Sequence, residues 1–188
     1  MENNKKKVVV AFSGGLDTSY TVMYLAKEKG YEVGSITLNQ EEIDYAIKNN
    51  IIDHGQINVN KEYLDNFDVI VFALYPKVLL DWLKVNHSYI KNGTILTDVT
   101  GVKKDIVYKV QEILIDQDVE FIGAHPMAGK EVYGVINASD TLFKKANYIV
   151  TPTNKNTQDA IDIAISIGEE LEFANISILS PEKHDEMI

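Results

Sequence analysis

The residues best suited to chemistry lie in one segment, Phe121-Ile-Gly-Ala-His-Pro-Met-Ala-Gly-Lys-Glu131. Val119–Ile122 reads as a strand that runs into a Gly/Pro-rich turn with His125 at its tip. Open α/β sheets bind their ligands at the carboxyl ends of the strands. An imidazole with its ordinary pKa of about 6.5 exchanges protons at neutral pH. His125 is therefore a candidate acid–base group. Taken alone, a single loop histidine is more often a surface residue, so the choice rests on its neighbours.

A second candidate site follows the first apolar run. Ala11-Phe-Ser-Gly-Gly-Leu-Asp-Thr-Ser19 stands where a dinucleotide-binding unit would carry G-x-G-x-x-G. Those glycines permit a tight turn and close approach of backbone N–H groups to a pyrophosphate. Here only Gly14 and Gly15 are present, side by side. Ser13, Gly14, Gly15, Asp17 and Thr18 are the candidate nucleotide-binding residues. The plain alternative is a Gly-Gly turn with Asp17 as a helix N-cap. The next strand reads Gly34-Ser-Ile-Thr-Leu-Asn39. An NAD-binding fold usually ends this strand on Asp or Glu, which bonds the adenosine ribose hydroxyls. Thr37 stands in that place. Asn39 could contact ribose more weakly, and Asp44 reads as a solvated helix-face charge.

The elements that must hold these residues alternate along the chain. Strands are expected at Lys7–Phe12, Tyr31–Leu38, Asp68–Leu74, Thr94–Val99, Val119–Ile122, Tyr148–Thr151 and Asn175–Leu179. Helices are expected at Asp17–Lys29, Gln40–Asn49, Lys77–Tyr89, Lys103–Leu114 and Thr157–Leu171. Ser180-Pro-Glu-Lys-His-Asp looks like a capped start of a last, short helix. This alternation implies βαβ units: an α/β, Rossmann-like fold, with a mostly parallel sheet and helices on both faces. The chain of 188 residues fits a single nucleotide-binding domain.

A net charge of −10 argues against nucleic acid or an anionic membrane as partner. The chain has no cysteine, which excludes disulfides, thiolate metal sites and cysteine nucleophiles. No apolar run is long enough to span a bilayer and no signal peptide is evident, so a cytoplasmic location is expected. The carboxylates form no metal-ligand pattern. All 18 basic residues are lysine.

Two resemblances arise from these motifs. HPMAG followed by Glu131 resembles the signature of prephenate dehydrogenases, and the likeness extends from about Leu38 to Ile188. Asp68–Pro76 (DVIVFALYP) resembles the family's strand and loop against the adenosine half of NAD, which points to Leu74, Tyr75 and Pro76 as cofactor contacts. Thr97-Asp-Val-Thr-Gly-Val-Lys103 resembles the loop near the nicotinamide, with Asp98 as a possible ligand contact or a structural residue. Thr100 is a candidate for a serine that orients the histidine and substrate in that family. Ala146–Thr153 and Ser180–Asp185 match further stretches. By contrast, SGGLDTS resembles the pyrophosphate-binding loop of ATP pyrophosphatases, argininosuccinate synthase in particular, over about the first 35 residues.

The first resemblance implies oxidative decarboxylation of prephenate, or of the related arogenate, with NAD or NADP. It makes His125 the base for the substrate hydroxyl. Glu131 either orients the substrate or is a solvated loop carboxylate. The second resemblance makes ATP the alternative ligand. His184, near the start of the last helix, reads as structural, and His54 and His87 as surface residues. The dehydrogenase family is homodimeric through a helical C-terminal domain that also supplies a substrate-binding arginine. This chain is expected to lack that domain, and it has no arginine. Arginine is the natural clamp for a dicarboxylate. Turnover by the chain alone is therefore expected to be very weak or absent. A non-enzymatic Rossmann-like domain is the remaining alternative.

Overall fold

The computed structural model describes residues 7–12, 17–128 and 143–188, with backbone alone for Phe12, 17–21 and Leu25. Its strands are β1 (Lys7–Phe12), β2 (Glu32–Ile36), β3 (His54–Gln56), β4 (Val69–Ala73), β5 (Ile95–Asp98), β6 (Glu120–Pro126), β7 (Asn147–Thr151) and β8 (Asn175–Ile178). Its helices are α1 (Asp17–Glu28), α2 (Gln40–Lys48), α3 (Lys61–Leu64), α4 (Pro76–Asn86), α5 (Lys104–Ile113), α6 (Gln158–Glu170) and α7 (Pro181–Met187).

The strands form one sheet in the order β3-β2-β1-β4-β5-β6-β7-β8. Pairing is parallel except between β6 and β7. The expected α/β, mostly parallel architecture is therefore present. The chain leaves β1 for β2 and β3 on one side, then crosses back to β4 on the other. That reversal is the switch point at which such sheets open a ligand crevice.

The continuous apolar run of β1 follows from burial on both faces. Val8 and Val10 enter one core with Val22 and Met23 of α1, Ile43 of α2 and Ala164 of α6. Val9 and Ala11 enter the other with Leu79 and Leu83 of α4 and Val107 and Val110 of α5. Leu79 and Leu83 are four residues apart and fully buried. Each such side chain contributes roughly 1.5–3 kcal/mol. No helix among the described residues is long and apolar enough to cross a membrane.

Three differences from the sequence reading matter for the site. β6 does not stop at Ile122 but runs to Pro126, because Gly123–Pro126 pair antiparallel with Tyr148–Thr151. His125 therefore lies within a strand, opposite Ile149, and not at the tip of a turn. Second, β3 and α3 were not expected; they are three and four residues long. His54 is no bare surface residue: its ring meets the Tyr63 hydroxyl at 3.1 Å and Glu32 at 3.3 Å, joining β3 to α3 and β2. Third, α4 ends at Asn86 and a 3₁₀ turn covers His87–Tyr89.

Gly123 shows how closely α5 sits on β6. A Cβ there would come within 2.5 Å of Thr151 Oγ1 and 2.6 Å of Val107 Cγ2, so only glycine fits without displacement.

Candidate active site

His125 is partly buried at the end of β6, where Gly101 of the β5–α5 loop lies against its ring. A Cβ on Gly101 would stand 3.8 Å from Nε2. Nε2 therefore lies beside an exposed loop residue. Nδ1 faces the interior and lies 2.9 Å from His184 Nε2, with the ring centroids 5.1 Å apart. His184 is fully buried. Its other nitrogen, Nδ1, is 2.7 Å from Asp185 Oδ1.

Both His184 and Asp185 come from α7. Ser180 caps this helix by accepting from the Lys183 amide at 3.1 Å, and Pro181 occupies the first turn. A helix of seven residues is marginal alone. It is fastened here by the buried His184 and by Asp185, which accepts from the backbone amides of Lys103 and Lys104 at 2.9 Å each. Asp185 thus closes the free N–H groups at the start of α5, as a capping carboxylate does. Burial raises the Asp185 pKa, but the bonds from His184 and the two amides outweigh it and hold the carboxyl below its usual range.

A buried ionic cluster underlies the same loop. Asp98, at the end of β5, and Lys103 pair at 2.6 Å with both side chains fully enclosed. Asp98 also accepts from the Ala124 amide at 3.1 Å, from the Thr100 amide at 3.1 Å and from the Thr100 hydroxyl. Burial lowers the Lys103 pKa while Asp98 pulls against it. The carboxylate thereby ties the β5–α5 loop to β6 one residue before His125.

The cluster and burial set the protonation of the histidine. Burial first, then the Lys103 ammonium and the neighbouring His184 ring, push the His125 pKa down to about 4, against the opposing pull of Asp98 and Asp185. At neutral pH the ring is uncharged and able to accept a proton.

The other sequence-derived candidates are placed as follows. Thr100 is buried, and its hydroxyl meets Asp98, Val102 O at 3.0 Å and Lys103 Nζ at 3.1 Å; Gly101 is the loop residue against His125. Thr37 is buried at the end of β2 and donates its hydroxyl to Glu42 Oε2 at 3.1 Å. Asn39 caps α2 through the Glu41 amide, at 3.0 Å. Leu74 is buried at the end of β4, Tyr75 is exposed as the N-cap of α4, and Pro76 opens that helix. Asp17 and Thr18 begin α1, but their side chains lie outside the described set. Ser13, Gly14, Gly15 and Glu131 also lie outside the described residues. Among the described residues no cluster of His, Asp and Glu could hold a metal ion.

Four residues at these places were not singled out from sequence as site residues: Glu42, Gly101, His184 and Asp185. His184 and His125 are 59 positions apart, and no local pattern links them. Glu42 carried a usable signal, an acid in the first turn of the helix that follows β2.

The sequence model described as "Prephenate dehydrogenase, nucleotide-binding domain" matches residues 24–176. The chain is 27% identical to the prephenate dehydrogenase of Bacillus subtilis over 98% of its own length and 49% of that protein. It spans about half the length of the curated relatives it matches (49% in each of the first two). Its fold superposes on Synechocystis arogenate dehydrogenase with a TM-score of 0.86 at 23% identity, over 96% of this chain and 62% of that one. It superposes on prephenate dehydrogenase from A. aeolicus, solved in complex with hydroxyphenyl propionate and NAD⁺, with a TM-score of 0.84 at 23% identity, over 100% of this chain and 64% of that one. A shorter likeness exists to argininosuccinate synthase of Alkaliphilus metalliredigens, 38% identical over 34% of this chain and 17% of that protein. The family model covers most of the chain, residues 24–176: the chain belongs to the prephenate dehydrogenase nucleotide-binding domain family.

Proposed function

We propose that this domain holds NAD and uses His125 as the base in the oxidative decarboxylation of prephenate or arogenate. The observation that carries the proposal is the His125 ring: uncharged at neutral pH, with Nε2 beside Gly101 of the β5–α5 loop and away from His184.

His125 Nε2 takes the proton of the substrate's ring hydroxyl. The O–H electron pair forms the carbonyl as the carbon-bound hydrogen leaves with its pair. Bound NAD supplies the acceptor for that hydride. The bond from the ring to its carboxyl group then breaks, CO₂ leaves, and the electron pair makes the ring aromatic. The phenolate oxygen recovers the proton from His125, which ends neutral as it began. A depressed pKa favours that return. Lys103 is enclosed and paired with Asp98, so it is not free to hold a substrate carboxylate.

NAD is favoured over NADP. Thr37 stands where the ribose-binding acid is usual, yet a carboxylate is present: Glu42 reaches back to Thr37 from α2. It can accept from ribose hydroxyls and would repel a 2′-phosphate. Leu38 and Tyr75 stand exposed at the ends of β2 and β4, on either side of β1, and offer apolar surface to an adenosine. These features fit a dinucleotide. ATP at residues 13–19 is the competing reading, supported by the shorter likeness to argininosuccinate synthase.

The test follows nicotinamide reduction and CO₂ release with prephenate and with arogenate, in the chain and in His125→Gln. One CO₂ per reduced nicotinamide is expected, at a slow rate that falls ~10²–10⁴-fold in the variant, the usual worth of a general base. An unchanged rate in His125→Gln contradicts the proposal.

A further inference from the structure

We propose that Asp185 and His184 are positioning residues that fix His125 as the tautomer with hydrogen on Nδ1 and a free lone pair on Nε2. The inference rests on the role of His125 proposed above, but its geometry stands independently.

The assignment follows from counting hydrogens along the chain of contacts. A carboxylate only accepts. The 2.7 Å contact between Asp185 Oδ1 and His184 Nδ1 therefore places a hydrogen on Nδ1. A neutral His184 ring then has a lone pair on Nε2. That lone pair lies 2.9 Å from His125 Nδ1, so His125 must donate there. A neutral His125 donating from Nδ1 carries its lone pair on Nε2, the atom beside Gly101. A His184 ring carrying hydrogen on both nitrogens would instead keep its bond to Asp185 and donate from Nε2 to His125 Nδ1; His125 would then carry its hydrogen on Nε2 and could not take the substrate proton.

The anchor is rigid at both ends. His184 is fully buried and cannot exchange its partners for water. Asp185 is held by the Lys103 and Lys104 amides at the start of α5. The charged groups facing His125 are Asp98 from β5, Lys103 from the β5–α5 loop, and His184 and Asp185 from α7. Among these, only His184 makes a direct hydrogen bond to the His125 ring. An outer partner that sets a histidine tautomer is a general device of acid–base and metal sites. Here the device comes from a helix remote in sequence.

The experiment is long-range proton–nitrogen NMR of the histidine rings in the labelled chain without ligand, at neutral pH. The expected spectrum shows His125 with a protonated Nδ1 and an unprotonated Nε2. The opposite pattern, with hydrogen on His125 Nε2, overturns the inference. Two variants sharpen it. His184→Gln can still accept from His125 Nδ1 through its carbonyl oxygen and should keep the tautomer. His184→Leu leaves Nδ1 without an acceptor and should give mixed tautomers, with kcat falling at least ~10²-fold and KM little changed. If both variants keep the wild-type ring pattern, the relay is wrong. If a variant misfolds, the wild-type spectrum alone decides. The outcomes also separate from the proposed function. The expected tautomer in a chain that never turns over prephenate leaves the relay standing and removes the function. Turnover that depends on His125 with the opposite tautomer does the reverse.

Discussion

Lys103 and Asp98 form an ion pair of 2.6 Å in which neither side chain touches solvent. Breaking a buried pair by removing one partner leaves an uncompensated charge and typically costs about 3–5 kcal/mol. Lys103→Met is expected to destabilise the chain by that amount, because it leaves the enclosed Asp98 without its partner. Asp98→Asn leaves Lys103 enclosed without its counter-charge and should cost a similar amount. Urea titration followed by circular dichroism checks both. A loss below 1 kcal/mol in Lys103→Met, on the order of a surface substitution, would show that the pair does not hold the loop.

Gly101→Ala separates space from stability. The added methyl would meet His125 Nε2 at 3.8 Å and Cε1 at 3.9 Å, ordinary contact distances, so nothing must move. The residue is exposed and its φ is not in the left-handed region. Stability should stay level or rise by roughly 0.4–1 kcal/mol, through a less flexible unfolded chain. Turnover should nevertheless fall about 10²-fold, because the methyl occupies the approach to the base. Thermal melts and rates on the same preparation test the two halves.

The pH dependence of stability has a definite sign. His125 titrates near 4 in the fold against an ordinary 6.5, so between these values the unfolded chain binds the extra proton. Stability contributed by this group therefore rises with pH from about 4 to about 6.5 and is constant above. His125→Gln should flatten that part of the melting profile. A wild-type profile with no slope attributable to His125 would contradict the depressed value.

Glu42→Gln addresses cofactor choice. A unit charge about 4 Å from a phosphate is worth on the order of 1 kcal/mol in water, or roughly a fivefold change in affinity. The variant should bind NADP⁺ about fivefold better relative to NAD⁺, by calorimetry. An unchanged ratio would remove Glu42 from the ribose site.

The sequence exposed the fold more fully than the site. β1 runs over Lys7–Phe12 just as its apolar run predicts, because a strand covered on both faces leaves an uninterrupted signal. β3 left none: its three residues are only half-buried and carry no apolar run. β6 was cut short because Gly123 and Pro126 are ordinary turn signals. Here the glycine admits α5 and the proline sits at the strand's last position, so both belong to the strand. His125 was legible from its setting. Its partner was not, because the His125–His184 contact is made by folding α7 onto α5, and an HD pair on a short helix looks the same whether it faces solvent or a second histidine. Glu42 lies beyond the end of β2, where an acid is expected, and meets Thr37 only through the fold, from the first turn of α2.

On the proposed reading NAD binds at the carboxyl ends of the strands. A thermal-shift panel with NAD⁺, NADP⁺ and Mg·ATP tests it most directly. A ligand at about a hundred times its dissociation constant stabilises by roughly 2.7 kcal/mol, well within reach of such a scan. The account predicts a clear upward shift with NAD⁺, a smaller one with NADP⁺ and none with Mg·ATP. A shift with Mg·ATP alone would contradict it and give the ligand to the Ser13–Ser19 loop.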